Sequence, residues 1–283
     1  MNSSAFHYLI TIHNKEVLLT AVLEGIDVCA GREATIVPVL DGCTDGSARV
    51  VQEFARRSAR RVAPVVTDDV HEIRAINAGL RTCGPGFCVV LQDDVILRDP
   101  QLENRLRDLH AADGRNLGCI SLRMGGVIVT ESLTTRFRRW LFQPRRWPRS
   151  TLGVADLTGS PFDTHPVAKL RTVELGGFAP LAAVFKSPIV FTPELRAAEP
   201  LLDENLAPHS YDDLDLSIRA LQHGLVNGVL ALEYTSEPSW GGTRKSAEFR
   251  RTMMAIMYRN QTYLWGKHRR WLLGPGRRWL QYR

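Results

Sequence analysis

Phe87-Cys88-Val89-Val90-Leu91-Gln92-Asp93-Asp94 is a short apolar run that stops at two adjacent carboxylates. An unbroken apolar run of this length, rich in Val, suits a strand buried on both faces. Runs of the same kind stand at Tyr8–His13, Ala34–Leu40, Ala63–Thr67 and Gly118–Leu122. Between them, Glu16–Leu23, Ser47–Arg57, Glu72–Leu80 and Gln101–Leu109 have helical spacing. In the second, Val50, Val51, Phe54 and Ala55 face one way, while Arg49, Glu53, Arg56 and Arg57 cover the rest. Strand–helix alternation implies parallel strands with right-handed crossovers. The expected fold is therefore α/β, a mostly parallel, doubly wound sheet with helices on both faces. Ligands of such sheets bind beyond the carboxyl ends of the strands. His13-Asn14, Asp41-Gly42, Asp68-Asp69 and Asp93-Asp94 occupy those ends.

Outward from this region the chain is less regular. Residues 126–175 lack a clear period, order returns over 176–243, and a helix from about Asp213 to His223 is closed by Gly224. The divisions expected are 1–125, 126–242 and a C-terminal extension over 243–283. The 283 residues are 44% hydrophobic and 23% charged, which excludes wholesale disorder, collagen and coiled coil. The net charge of +6 is unevenly placed: residues 244–283 carry +10 and Arg136–Arg149 carry +6, leaving the remainder at −10. Five cysteines without a Cys-x-x-Cys pair argue against a zinc site or a disulfide framework, and for a reducing compartment. Met1–Phe6 shows no secretory pattern and no apolar run is long enough to cross a bilayer, so a cytoplasmic protein, peripheral at most on the inner face of the membrane, is expected.

Neither G-x-G-x-x-G nor G-x-x-x-x-G-K-[ST] occurs, which disfavours a Rossmann dehydrogenase or a P-loop kinase. Three acidic segments remain. In Leu40-Asp41-Gly42-Cys43-Thr44-Asp45-Gly46-Ser47, turn and cap chemistry accounts for Thr44 or Asp45 and leaves Asp41 over at the strand end. Asp93-Asp94 puts two like charges together at the end of a buried strand, where a divalent cation would relieve them. A capping role accounts better for Asp99 than for this pair. In Tyr211-Asp212-Asp213-Leu214-Asp215-Leu216, Asp212 could be an N-cap and Asp215 an i,i+4 partner of Arg219. Asp213 is then left in the first turn, where a carboxylate stays ionised and suits a general base. His71, His110, His165, His223 and His268 suit surface or packing roles; His13, at the end of the first strand, is the exception.

Together these positions resemble the family 2 glycosyltransferases, which have the GT-A fold. The resemblance rests on Thr11-Ile12-His13-Asn14, Asp41-Gly42-Cys43-Thr44-Asp45-Gly46-Ser47, Ile73-Arg74-Ala75-Ile76-Asn77-Ala78-Gly79 and Gln92-Asp93-Asp94-Val95. It continues in Gly176-Gly177-Phe178, Leu202-Asp203-Glu204 and Asp212-Asp213-Leu214-Asp215-Leu216, and covers a little over half of the chain. It implies that residues 1–125 bind a nucleotide-sugar and 126–242 carry the acceptor side and the base. Thr11, His13, Asn14 and Asp41 would then lie against the nucleotide, with Arg74, Asn77 and Asp93 completing the donor site. Asp94 would bind Mg²⁺ or Mn²⁺. Asp213 would be the base, Asp212 its neighbour in the family's Glu-Asp pair, and Phe178–Lys186 the acceptor wall. Leu40 and Gln92 depart from the pattern, each standing where many members carry an acid.

The implied reaction is inverting, metal-dependent transfer to a glycan or lipid-linked hydroxyl. A nucleotidyltransferase is disfavoured, because Thr11–Lys15 is no glycine-rich loop. A non-catalytic surface protein on a transferase-like body is the other alternative. The basic, aromatic tail, where Arg269, Arg270, Arg277 and Arg278 alternate with Trp271 and Trp279, suits an anionic membrane better than nucleic acid when the acceptor is lipid-linked. Packing of the tail on the body by its aromatics is the plainer alternative.

Overall fold

In the computed structural model the described residues are 5–112, 116–123, 127–130, 150–152, 157, 169–186, 188–237, 239–241 and 247–280. Arg136–Arg149, His165, Arg244 and Lys245 lie outside them. The first half follows β1 (Phe6–Ile12), α1 (Glu16–Cys29), β2 (Thr35–Asp41), α2 (Ser47–Arg57), β3 (Arg61–Val62), β4 (Val65–Thr67), α3 (Glu72–Thr82), β5 (Phe87–Gln92), β6 (Ile96–Leu97), α4 (Leu102–Ala112) and β7 (Leu117–Arg123). The second half adds β8 (Val127–Thr130), β9 (Lys169–Thr172), β10 (Phe178–Pro180), β11 (Ile189–Phe191), α5 (Pro193–Ala198), α6 (Asp212–Gln222), β12 (Val226–Ala231), β13 (Tyr234–Thr235) and α7 (Ala247–Leu273).

The main sheet runs β10-β12-β7-β11-β5-β1-β2-β3, with β4 also on β2. β1 is parallel to β2 and β5, β2 to β3 and β4, and β7 to β12. β11 enters antiparallel between β5 and β7, and β10 lies antiparallel on β12. The sheet is therefore mixed but mostly parallel. Of Ala63–Thr67 only Val65–Thr67 is strand: Ala63-Pro64 separates it from β3, consistent with the missing proline N–H.

Alternation along β1 sorts the two faces. Phe6, Tyr8, Ile10 and Ile12 share one core layer with residues of α1, α2 and α4, while Leu9 packs on α3 in the opposite layer, which also holds residues of α6. Gly79 lets α3 approach closely, since a Cβ there would lie 2.6 Å from Leu9 Cδ1 and 2.8 Å from Val39 Cγ2. After β2 the chain returns through α3 to β5 on the far side of β1. β1 and β5 therefore meet where the strand order reverses, and such a point opens a crevice.

The C-terminal extension is a 27-residue helix that joins the core. Asn260, Leu264, His268 and Leu272, four apart, are buried along one stripe.

Candidate active site

The crevice between β1 and β5 opens into a cleft of about 380 Å³. Thr11, His13, Asp41, Asp93 and Asp94 line one part of it, and Lys186, His209, Tyr211, Asp212 and Asp213 another. The two acid pairs, 119 residues apart in sequence, thus share one cavity.

The wall at the β1 and β5 ends is hydrogen-bonded throughout. The His13 amide donates to Asp93 Oδ2 at 3.0 Å, and His13 Nδ1 donates to the Asp41 carbonyl at 2.7 Å. Asp41 is 2% exposed, and its Oδ1 accepts from Thr67 Oγ1 and the Val70 amide. Lys15 is buried with its Nζ 3.3 Å from Asp93 Oδ1 and donates to the Trp240 carbonyl. Part of the positive charge expected beside Asp93-Asp94 is therefore this ammonium. Burial and the neighbouring Asp94 charge still raise the Asp93 carboxyl above its ordinary range, against Lys15 and the His13 amide. His13, Asp41 and Asp69 bring one ligand atom each within 4.8 Å of one another.

Opposite lies a partly buried ionic chain. Lys186 Nζ sits 2.9 Å from Glu72 Oε2 and 2.9 Å from Asp212 Oδ1. Gln92 donates from Nε2 to Glu72 Oε1, so the residue standing where an acid was expected anchors α3 to the end of β5. Burial pushes Glu72 up, but Lys186 and Gln92 outweigh it and hold it low. Asp212, fully buried, is raised by burial despite Lys186. Asp213, half-buried at the cleft wall, is pushed up to about 7 by burial and by the Asp212 charge. Burial and Lys186 lower the His209 imidazole.

Several expected residues lie elsewhere. Asn77 is fully buried and brackets the Leu202–Glu204 turn, accepting from the Leu202 amide and donating to its carbonyl and to Glu204. A side chain so enclosed has no face for a ligand. Arg74 is exposed beside Glu204 at 3.8 Å, away from the cleft lining. Asn14, left-handed at φ 51°, uses Oδ1 to accept from the Thr44 and Asp45 amides and so shapes the turn before α2. Neither Thr44 nor Asp45 is the N-cap of α2, which is Gly46; Asp45, one residue earlier, accepts from the Ser47 amide. Of Phe178–Lys186 only Lys186 lines the cleft. Asp212 is not an N-cap: that position is Tyr211, and the carboxylate goes to Lys186. Asp215 is not a surface partner of Arg219 alone, because it is fully buried and also meets Lys267 and His268 at 2.7 Å. His71 lines the cleft rather than an outer surface.

Lys15, Glu72, His209 and Met253 were not singled out from sequence, and Lys186 only as the end of the acceptor wall, yet all stand at the cleft or its first ionic contacts. One signal was available: Lys186 interrupts the apolar stretch around Leu181–Phe191.

Comparison with solved structures then fixes the fold family. The mannosyltransferase PcManGT of Pyrobaculum calidifontis, solved with GDP-Man and Mn²⁺, matches with a TM-score of 0.55 at 15% identity, over 91% of this chain and 62% of its own. This chain has the GT-A fold. S. aureus TarS 1-349 in complex with UDP-GlcNAc matches with a TM-score of 0.50 at 15% identity, covering 89% of this chain and 65% of its own. The GT-A chain described here thus spans less than two thirds of these structures' lengths. No protein-family model and no curated protein matches the sequence. Within the GT-A frame one acid pair follows β5 and the other opens α6.

Proposed function

We propose that the protein is a family 2 glycosyltransferase that moves a sugar, with inversion and metal dependence, from a nucleotide-sugar to a hydroxyl of a glycan or lipid-linked acceptor. One observation carries this reading: Asp93-Asp94 and Asp212-Asp213 line the same cleft, the second pair holding a carboxyl near 7. The neighbours' complexes with GDP-Man and Mn²⁺ and with UDP-GlcNAc support the donor class.

Thr11, His13 and Asp41 would bind the nucleotide. Asp94 would hold Mg²⁺ or Mn²⁺, since Asp93 is already engaged by Lys15 and the His13 amide. One or two carboxylates plus phosphate oxygens are an ordinary magnesium site. Bound there, the ion supplies charge that stabilises the departing diphosphate.

The chain's own residues handle the acceptor. Asp213 takes the proton of the acceptor hydroxyl as that oxygen bonds to the sugar C1. The C1–phosphate oxygen bond breaks on the opposite face and inverts the centre. Lys186 offsets part of the upward shift that burial gives Asp212, and the Asp212 charge helps raise Asp213 toward a proton acceptor near neutrality. The exposed Arg269, Arg270, Arg277 and Arg278 would rest on an anionic membrane that carries the acceptor.

The deciding experiment is a panel of sugar nucleotides incubated with Mn²⁺ or with EDTA, reading nucleoside diphosphate release. Metal-dependent release from one donor is expected. No release and no metal-dependent nucleotide binding across the panel would refute the assignment.

A further inference from the structure

The turn that delivers Asp212 and Asp213 does not hold itself. Ser210 and Tyr211 are non-glycine residues in left-handed backbone, at φ 79° and 69°, and no side chain caps α6. Strained conformations of this kind persist where the surroundings over-determine them. Here the surroundings are three consecutive residues of α7. Asn260, fully buried, directs Nδ2 at three carbonyls of the turn: Leu206 at 2.8 Å, His209 at 2.9 Å and Ser210 at 3.0 Å. Arg259 donates from Nε and Nη2 to Asn260 Oδ1, which fixes the amide with its donor end toward the turn, and also donates to the Ala207 carbonyl. Gln261 Nε2 donates to the Tyr211 hydroxyl at 2.5 Å.

Pro208, His209, Ser210 and Tyr211, bracketed by these contacts, line the cleft immediately before the two acids, and Met253 of α7 lines it as well. The extension that reads as a basic tail is thus a wall and a support of the site.

We infer that Asn260 is a positioning residue: by binding the Leu206, His209 and Ser210 carbonyls, in an orientation set by Arg259, it fixes the turn from which Asp213 reaches the acceptor hydroxyl. This rests on Asp213 as the base. Misplacing a catalytic group by about 1 Å can cost on the order of 10²-fold in rate. Asn260→Ala should therefore lower kcat by about that factor, and Asn260→Asp, which turns an acceptor toward three carbonyls, at least as far.

The test compares these variants with Leu106→Ala, a cavity in the opposite core layer, at matched loss of thermal stability. Three quantities are read: kcat, the dissociation constants of UDP-GlcNAc and GDP-mannose as probes, and amide hydrogen exchange over residues 206–213. Faster exchange confined to that turn, unchanged probe binding and a kcat loss absent from Leu106→Ala are expected. An equal kcat loss in Leu106→Ala, or unaltered exchange in Asn260→Ala, overturns the inference. Should Asn260→Ala not fold, Arg259→Met, which frees the amide's orientation, carries the same comparison. A wild type that turns over no donor refutes the functional reading alone, because exchange still judges the support of the turn.

Discussion

A carboxyl that must take a proton near neutral pH needs a pKa near that pH, and Asp213, pushed up to about 7, has one. Turnover should rise with pH through about 7 and level off above it. Asp213→Asn should lose about 10²–10⁴-fold in kcat and keep nucleotide binding. Its stability should move the other way. A folded pKa above the unfolded value of 3.8 means that the folded state binds more protons between the two. That stabilising contribution is complete below 3.8 and is lost as pH rises through about 7. Melting curves should therefore show Asp213→Asn gaining on wild type from pH 5 to pH 8. Lys186→Met should behave differently, because it leaves the buried Asp212 and the half-buried Glu72 without their cation. A loss of about 3–5 kcal/mol in denaturant unfolding is expected, with the acid limb of the rate profile moved to higher pH. An unmoved limb would separate Lys186 from the base. The acids were legible in the sequence because each ends a strand or opens a helix. The Lys186–Glu72 pairing was not, because its two partners lie 114 residues apart in sequence.

At the scale of elements, the same residue type has opposite value at two positions. Gly79 in α3 faces Leu9 and Val39 closer than a Cβ allows. Gly79→Ala gains about 1 kcal/mol of helix propensity but overpacks a closed site, which costs about 1–3 kcal/mol, so net destabilisation is expected. Gly266 in α7 is exposed with nothing within 4 Å of a Cβ, and Gly266→Ala should stabilise by about 0.5–1 kcal/mol. Urea midpoints of the two variants test both signs. The parallel half of the sheet was readable because its strands and helices alternate in simple periods. Asn77 and Gly79 show the limit of motif reading: both sit in a segment that resembles a donor site, and both serve packing. α7 escaped notice because Asn260 and His268 interrupt its buried stripe with polar groups. Only the turn before α6 and the Asp215 carboxylate explain them. The antiparallel direction of β11 depends on where the intervening chain returns, which no local period encodes.

For the whole molecule, the decisive quantity is how charge is divided between body and extension. The last turns of α7 and the residues after it expose Arg269, Arg270, Arg277 and Arg278, with Leu273 exposed among them and Trp271 and Trp279 half-buried beside them. Residues 269–280 contain no acid. Lys267, by contrast, is turned inward to Asp203 and Asp215, and Arg259 is tied to the Ala207 carbonyl, so these two hold the helix down while the four arginines face outward. No described helix is long and apolar enough to cross a membrane. Basic residues flanked by Trp suit the interface of an anionic leaflet, and such attraction is screened within about 8 Å at physiological salt. Sedimentation with vesicles containing phosphatidylserine should therefore capture the protein at low salt and release it at about 1 M salt, where the screening length is about 3 Å. Replacing the four arginines with Glu should abolish capture while nucleoside diphosphate release in a soluble assay stays unchanged, because none of the four lines the cleft. Capture that survives both high salt and the charge reversal would assign lipid contact to another part of the chain.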